Sequence, residues 1–288
     1  MVQYVNRELH GIEDFEVFDV ARKNKNNILL QGPTGSAKTL VAKEYAAQRG
    51  IPFTKVSCSV SVNPTELFGR FVPNGQGGFV WQDGSVTQAL RQGEGVLLLD
   101  EVNMMHPKIA ASMFPLLDSN RSVILMDKDS EIITAGEGLL IIGTMNPNYA
   151  GTMKPNYAFV NRFPLIFYWD YDAAVEKQLV KSPTLLKLVN NWRQQKGNLT
   201  ISSPLSTNMM MEFEFNVQHL NIDLAINSFI QHIAQENERS GMLGAFAVSK
   251  KAIEEEIKAF SDADSEGSQQ VVKRAKKRVR KLNNTWAG

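Results

Sequence analysis

Between Asn27 and Trp169, short runs of consecutive apolar residues alternate with stretches of helical periodicity. That alternation predicts a parallel sheet covered by helices on both faces. The runs are NILLQ ending at Gln31, PFTKVSC from Pro52, VLLLD ending at Asp100, LLIIGTM ending at Met145 and LIFYW from Leu165, enough for a doubly wound five-stranded sheet. Asn63, Pro64 and Glu66 form an N-cap, an N1 proline and an N3 glutamate, and Ser85 with Gln88 reads as a capping box before VTQALRQ, which stops at Gly93. Two polar turns flanked by apolar residues, FVPNGQGGFVWQDG and RSVILMDKDSEIITAG, predict β-hairpin inserts near residues 71–84 and 121–136. After Asp170 strand-like runs give way to helical periodicity, as in VEKQLVKSPTLLKLVNNW and DLAINSFIQHIAQ. The expected organisation is therefore an α/β domain over 1–170, a smaller all-α domain over 171–260, and a polar linker with a basic tail over 261–288.

Composition narrows this picture. With 288 residues, 43% of them hydrophobic and 21% charged, the chain can bury a sizeable core and is far from a disordered composition. The single cysteine, Cys58, cannot form an internal disulfide and sits in an apolar strand, which fits a reducing, cytoplasmic setting. The first residues, MVQYVNRELHGIEDFE, lack the layout of a signal peptide, and no stretch approaches the roughly 18 apolar residues of a membrane span. No membrane partner is expected. A net charge of +1 offers no global attraction for nucleic acid. Only VVKRAKKRVRKL near the end is strongly basic; it reads as a solvated or partner-facing helix, with nucleic acid the less favoured partner.

The chemistry concentrates at strand ends. GPTGSAKT, from Gly32 to Thr39, follows NILLQ and runs into the helix KTLVAKEYAAQR, so backbone N–H groups and a positive helix end converge on one spot. Phosphate is the natural occupant: Lys38 would reach the outer phosphates, the Thr39 hydroxyl would hold magnesium, and Gly32 and Gly35 would supply the tight turns. Ala37 stands where the pattern GxxxxGK[ST] has its second glycine. The substitution costs something only if φ must be positive there or the methyl meets a phosphate oxygen. Asp100 and Glu101 close the apolar run VLLLDE. An acidic pair at the carboxyl end of a buried strand is costly unless it meets a cation, so Asp100 becomes the magnesium partner and Glu101 the base that orients and deprotonates the attacking water. Alone, the pair reads equally as acids at a helix N-terminus. Asn146, before Pro147, ends another apolar run and could touch the terminal phosphate and the lytic water, although Asn-Pro by itself is a common turn start. Arg162, in AFVNRF, is by itself a surface arginine, but supplied from a neighbouring subunit it would stabilise phosphoryl transfer. The histidines are scattered without metal-ligand spacing.

In this order, the phosphate loop, acidic strand end, polar strand end and downstream arginine resemble an AAA+ ATPase. More narrowly, the chain is similar to the MoxR-like clade, with the CbbQ, NorQ and GvpN proteins and the cobaltochelatase ATPase subunit. The resemblance spans about Asn27 to Asn208 and includes ELFGRFVP, VWQDGSVTQALRQG, DEVNMMHP, LLDSNRSV, TMNPNYAGTMKP and NRF. It implies a P-loop core followed by an all-α lid, ATP and Mg2+ as cofactors, and hairpin inserts that line the pore of a homo-oligomeric, usually hexameric ring. It implies as client a protein, often one with a von Willebrand A domain. Gly32, Pro33, Thr34, Gly35, Ser36, Ala37, Lys38, Thr39 and Leu40 fall on the nucleotide-binding loop. Thr39 and Asp100 fall on the metal site, Glu101 on the catalytic acid, Asn146 on the first sensor and Arg162 on the trans arginine finger. Asn208, in PLSTNMM, stands where similar proteins carry a second-sensor arginine, and Arg121 or Arg193 is a candidate to compensate. The expected activity is ATP hydrolysis that remodels a protein partner, slow or partner-stimulated given Ala37 and Asn208. The alternatives are a nucleotide-dependent assembly switch and a DNA-associated AAA+ protein using the basic tail.

Overall fold

The computed structural model describes residues 4–147, 157–195 and 205–285, with side chains as far as residue 260. The chain divides into two compact units, Met1–Tyr171 and Asp172–Gly288.

The first unit is built on five parallel strands: β1 (Ile28–Gln31), β2 (Phe53–Ser57), β3 (Glu94–Asp100), β4 (Gly138–Met145) and β5 (Leu165–Tyr168). Their spatial order is β5-β1-β4-β3-β2. The strands are the five apolar runs, and they are apolar throughout because both faces of the sheet are covered. Ile28, Leu30, Val96, Leu98, Leu140 and Ile142 pack on one face with helices α1 (Asp14–Lys23) and α2 (Lys38–Arg49). The alternate residues Leu29, Leu97, Leu99, Leu139 and Ile141 pack on the other with α3 (Ser85–Gln92). Period-two alternation thus splits each run between two cores.

Both hairpins form, Gly69–Pro73 with Phe79–Asp83 and Ser122–Leu125 with Glu131–Thr134. Phe79, Met126 and Ile132 stand exposed on them. Asn63 caps its short helix as expected, its Oδ1 accepting from Glu66 N at 3.1 Å while its amide donates to the Glu66 carboxylate at 3.0 Å. The second cap differs from expectation: Gly84, not Ser85, is the N-cap of α3. A Cβ at residue 84 would lie 2.4 Å from the Leu67 carbonyl carbon, so only glycine fits, and the Ser85 hydroxyl turns away to donate to Glu66 O at 3.2 Å.

The second unit is helical: α4 (Ala173–Leu179), α5 (Pro183–Gln195), α6 (Thr207–His219), α7 (Ile222–Gln231) and α8 (Glu236–Thr285). Leu185, Val189, Phe213, Phe229 and Phe246 form its core, with Met210 inside and Met209 against it. α8 runs on through 261–270, the stretch expected as a linker, and through the basic sequence beyond. Among the described residues no helix is long and apolar enough to cross a membrane.

Candidate nucleotide-binding site

β1 delivers the chain to the carboxyl edge of the sheet, where Gly32 N donates to Met145 O at the end of β4, at 3.0 Å. A Cβ on Gly32 would lie 2.0 Å from Trp169 O, just past β5. Three strand ends therefore meet at Gly32, and no side chain fits. Gly35 takes φ 74°, and Ala37 takes φ 71°, ψ 23° immediately before α2. The condition attached to Ala37 is met: this is a left-handed residue, and alanine there costs about 1 to 2 kcal/mol. The loop is nonetheless formed, and Val41 N donates to Ala37 O at 2.9 Å to start the helix.

The Lys38 ammonium folds back on its own loop, donating to Gly32 O at 2.8 Å and Pro33 O at 2.7 Å. Burial pushes its pKa down to about 8 despite the nearby carboxylates of Asp100 and Glu101. Ser36, buried, donates from Oγ to Pro33 O at 2.8 Å, while Thr34 and Gly35 are exposed. Leu40 lies in the first turn of α2.

Asp100, at the end of β3, gathers the other edge groups. Its Oδ1 accepts from Thr39 Oγ at 2.9 Å and from Thr144 Oγ at 2.5 Å, and its Oδ2 pairs with Lys55 Nζ at 2.7 Å. Burial opposes its charge, but Lys55 and the two hydroxyls outweigh it and hold the carboxyl below the usual range. Glu101 follows, exposed and left-handed at φ 60°, with its N–H pinned to Thr144 Oγ at 2.9 Å. Asn146 donates from Nδ2 to Thr34 Oγ at 2.7 Å, spanning from the end of β4 to the phosphate loop. Lys38, Thr39, Asp100, Glu101 and Asn146 thus share one edge. The oxygen donors fit magnesium, which is held by one or two carboxylates or hydroxyls plus substrate phosphates rather than by an all-protein cage. No cluster of three or more His, Cys, Asp or Glu that could hold a metal occurs among the described residues.

Arg162 lies elsewhere. Its carbonyl accepts from Asn27 Nδ2 at 3.0 Å, at the amino end of β1, and its guanidinium sits 3.8 Å over the Phe114 ring and 2.8 Å from Asp118. The four residues of β1 separate it from its own phosphate loop by about 13 Å at 3.3 Å per residue. Arg121 is buried at the same amino edge, donating to Lys25 O at 2.8 Å and Leu139 O at 2.6 Å. In the second unit Arg193 pairs with Glu176 at 2.9 Å, and Asn208, exposed on α6, donates to Glu212 at 2.7 Å. Neither proposed substitute arginine is free of structural partners.

Several participants are not visible in the motifs. Arg7 donates to Ser36 O at 2.7 Å and Asp170 O at 2.6 Å, with its guanidinium 4.8 Å over the Trp169 ring. Tyr171 Oη donates to Thr34 O at 2.7 Å. Lys55 and Thr144 had one weak signal each, a charge inside an apolar strand and a hydroxyl at a strand end. Cys58 is buried beside the site, its thiol pushed up to about 12 by burial and then by Asp100 and Glu101.

Residues 27–163 match the AAA domain family, dynein-related subfamily. Over 137 residues the chain is 34% identical to protein NorQ of Paracoccus denitrificans, an alignment covering 48% of this chain and 50% of NorQ. It is 35% identical over 156 residues to midasin of Giardia intestinalis, covering 53% of this chain and 3% of midasin. An uncharacterised protein of Staphylococcus haemolyticus is 34% identical over 192 residues, 64% of this chain and 70% of that protein. The match thus spans half of NorQ and a small part of midasin.

Proposed function

Since this chain belongs to the MoxR-like, dynein-related AAA+ family, we propose that it binds ATP with Mg2+ and hydrolyses it within a homo-oligomeric ring. The observation that carries this reading is the shared edge: Thr39 and Thr144 both donate to Asp100, across β4 from a loop whose lysine is held by two of the loop's own carbonyls. Mg2+, held by Thr39 and Asp100, would neutralise charge on the outer phosphates. Lys38 leaves Gly32 O and Pro33 O for a phosphate oxygen, a better acceptor for a half-buried ammonium. Asn146 reaches from the Thr34 hydroxyl to the terminal phosphate. Glu101, exposed beside Asp100, takes the proton of the attacking water, and the O–P bond to the leaving diphosphate breaks as the new one forms. Arg162 acts on the nucleotide of a neighbouring subunit, because its own loop is at the opposite edge of the sheet.

The ring, hexameric by family resemblance, works in the cytoplasm and remodels a protein client, of the von Willebrand A type in the same resemblance. A second reading is favoured by the left-handed Ala37 and by Asn208: ATP holds the assembly together and turnover is incidental. Glu101→Gln tests the first reading; hydrolysis should fall by about 100-fold or more while nucleotide binding persists, and robust turnover in that variant refutes it. Single-turnover kinetics beside sedimentation with and without ATP separates the two, since rapid, partner-stimulated hydrolysis excludes a switch alone.

A further inference from the structure

The lysine on Asp100 belongs to no phosphate-loop motif. On β2, Val56 enters the core on the α3 side, while Phe53 packs on the α1 and α2 side. Lys55 shares the side of Phe53 by the period of two, and from there its ammonium reaches Oδ2 of Asp100 on the neighbouring strand. Asp100 is mostly buried, with 13% of its side chain exposed, whereas Lys55 is 42% exposed. With Oδ1 already taken by the two threonine hydroxyls, both carboxylate oxygens are engaged by the protein itself.

We propose that Lys55 is a tethered counter-cation for the metal carboxylate. It holds the Asp100 carboxylate in place when no divalent ion is present and yields that place as Mg2+ arrives with the nucleotide, so it sets the metal concentration at which nucleotide is gripped. This rests on the nucleotide reading above. A long, half-exposed lysine can return its ammonium to water at small cost. If it stays, a like charge stands against the incoming ion. Lys55 is accordingly a positioning residue: it touches the metal ligand, not the reacting atoms.

The test is a divalent-ion titration of the full chain with a fluorescent ATP analogue, using Mg2+ and, separately, Mn2+. In Lys55→Met and Lys55→Gln the midpoint should fall by about three- to fivefold, as expected for loss of a partly exposed ion pair, while Lys55→Arg should stay within about twofold of the parent. A midpoint that is unchanged or higher in both neutral variants overturns the proposal. A merely structural ion pair would lower the melting temperature in EDTA and leave the midpoint where it was, which is the same refutation. If the parent chain binds no nucleotide at any metal concentration, the nucleotide reading itself fails.

Discussion

Replacing Ala37 by glycine should stabilise the empty protein. In its observed conformation, φ 71° and ψ 23°, the alanine Cβ crowds its own backbone at a cost of about 1 to 2 kcal/mol. Glycine removes that cost but returns about 0.4 to 1 kcal/mol by enlarging the unfolded ensemble. The net gain is about 0.5 to 1 kcal/mol. For a unit of this size that corresponds to a rise in Tm of about 1 to 4 °C. Calorimetry without nucleotide is the assay, because bound ligand would add its own stabilisation. The relevant transition among the two units is the one that moves when ATP and Mg2+ are added. Gly50, at the other end of the same helix, is the matched control: it has φ 63° and nothing within 4 Å of an added Cβ, so Gly50→Ala isolates the left-handed cost. It should lose about 1 kcal/mol. A drop in Tm for Ala37→Gly, or no change while Gly50→Ala is destabilising, would refute a left-handed residue 37.

Arg162→Ala should leave nucleotide binding to isolated subunits intact and lower hydrolysis by the assembled protein on the order of a thousandfold; full-rate hydrolysis by isolated monomers would refute a role across the interface. Lys38 has its folded pKa depressed to about 8, below the usual 10.5, so the empty loop favours the neutral amine above that pH and a bound triphosphate favours the ammonium. Nucleotide binding should therefore take up a proton between about pH 8 and 10, detected by calorimetry in buffers of different ionisation enthalpy and lost in Lys38→Arg. Without ligand the same group makes stability rise with pH across that window, since the unfolded chain holds the proton that the folded loop gives up. Gly32→Ala should cost about 3 kcal/mol, because its Cβ has no space beside Trp169 O; a variant as stable as the parent would deny the convergence of strand ends.

Much of the first unit was legible because its signals are local. Five apolar runs became the five strands within a residue or two, and the polar turns became the two hairpins. The short antiparallel pair Glu8–Leu9 with Ile12–Glu13 was not read, since two-residue strands leave no period to detect, and helix α1 was missed although Phe15, Phe18 and Ala21 carry a helical period. Ser85 looked like a cap because serine is a good one, but the helix starts one residue earlier than that signal, at a position where contact with Leu67, distant in sequence, admits only glycine, and the Ser85 hydroxyl goes to Glu66 O instead. Arg162 was legible as an arginine but not as one anchored by Asp118 and Phe114.

By itself the sequence determined the class of fold and the chemistry at the strand ends, because apolar periodicity and the spacing of glycine, lysine, threonine and acid act over a few residues. Only the tertiary structure decided what those groups do to one another. It brought the ends of β1, β4 and β5 together at Gly32, where no side chain fits. It put Lys55 and Thr144 on Asp100, and Arg7 on the back of the loop. It also sent Arg162 to the opposite edge. The physical reason is that the fold, and above all the strand order β5-β1-β4-β3-β2, brings together residues distant along the chain, and distances across a sheet follow from pairing, not from spacing in sequence.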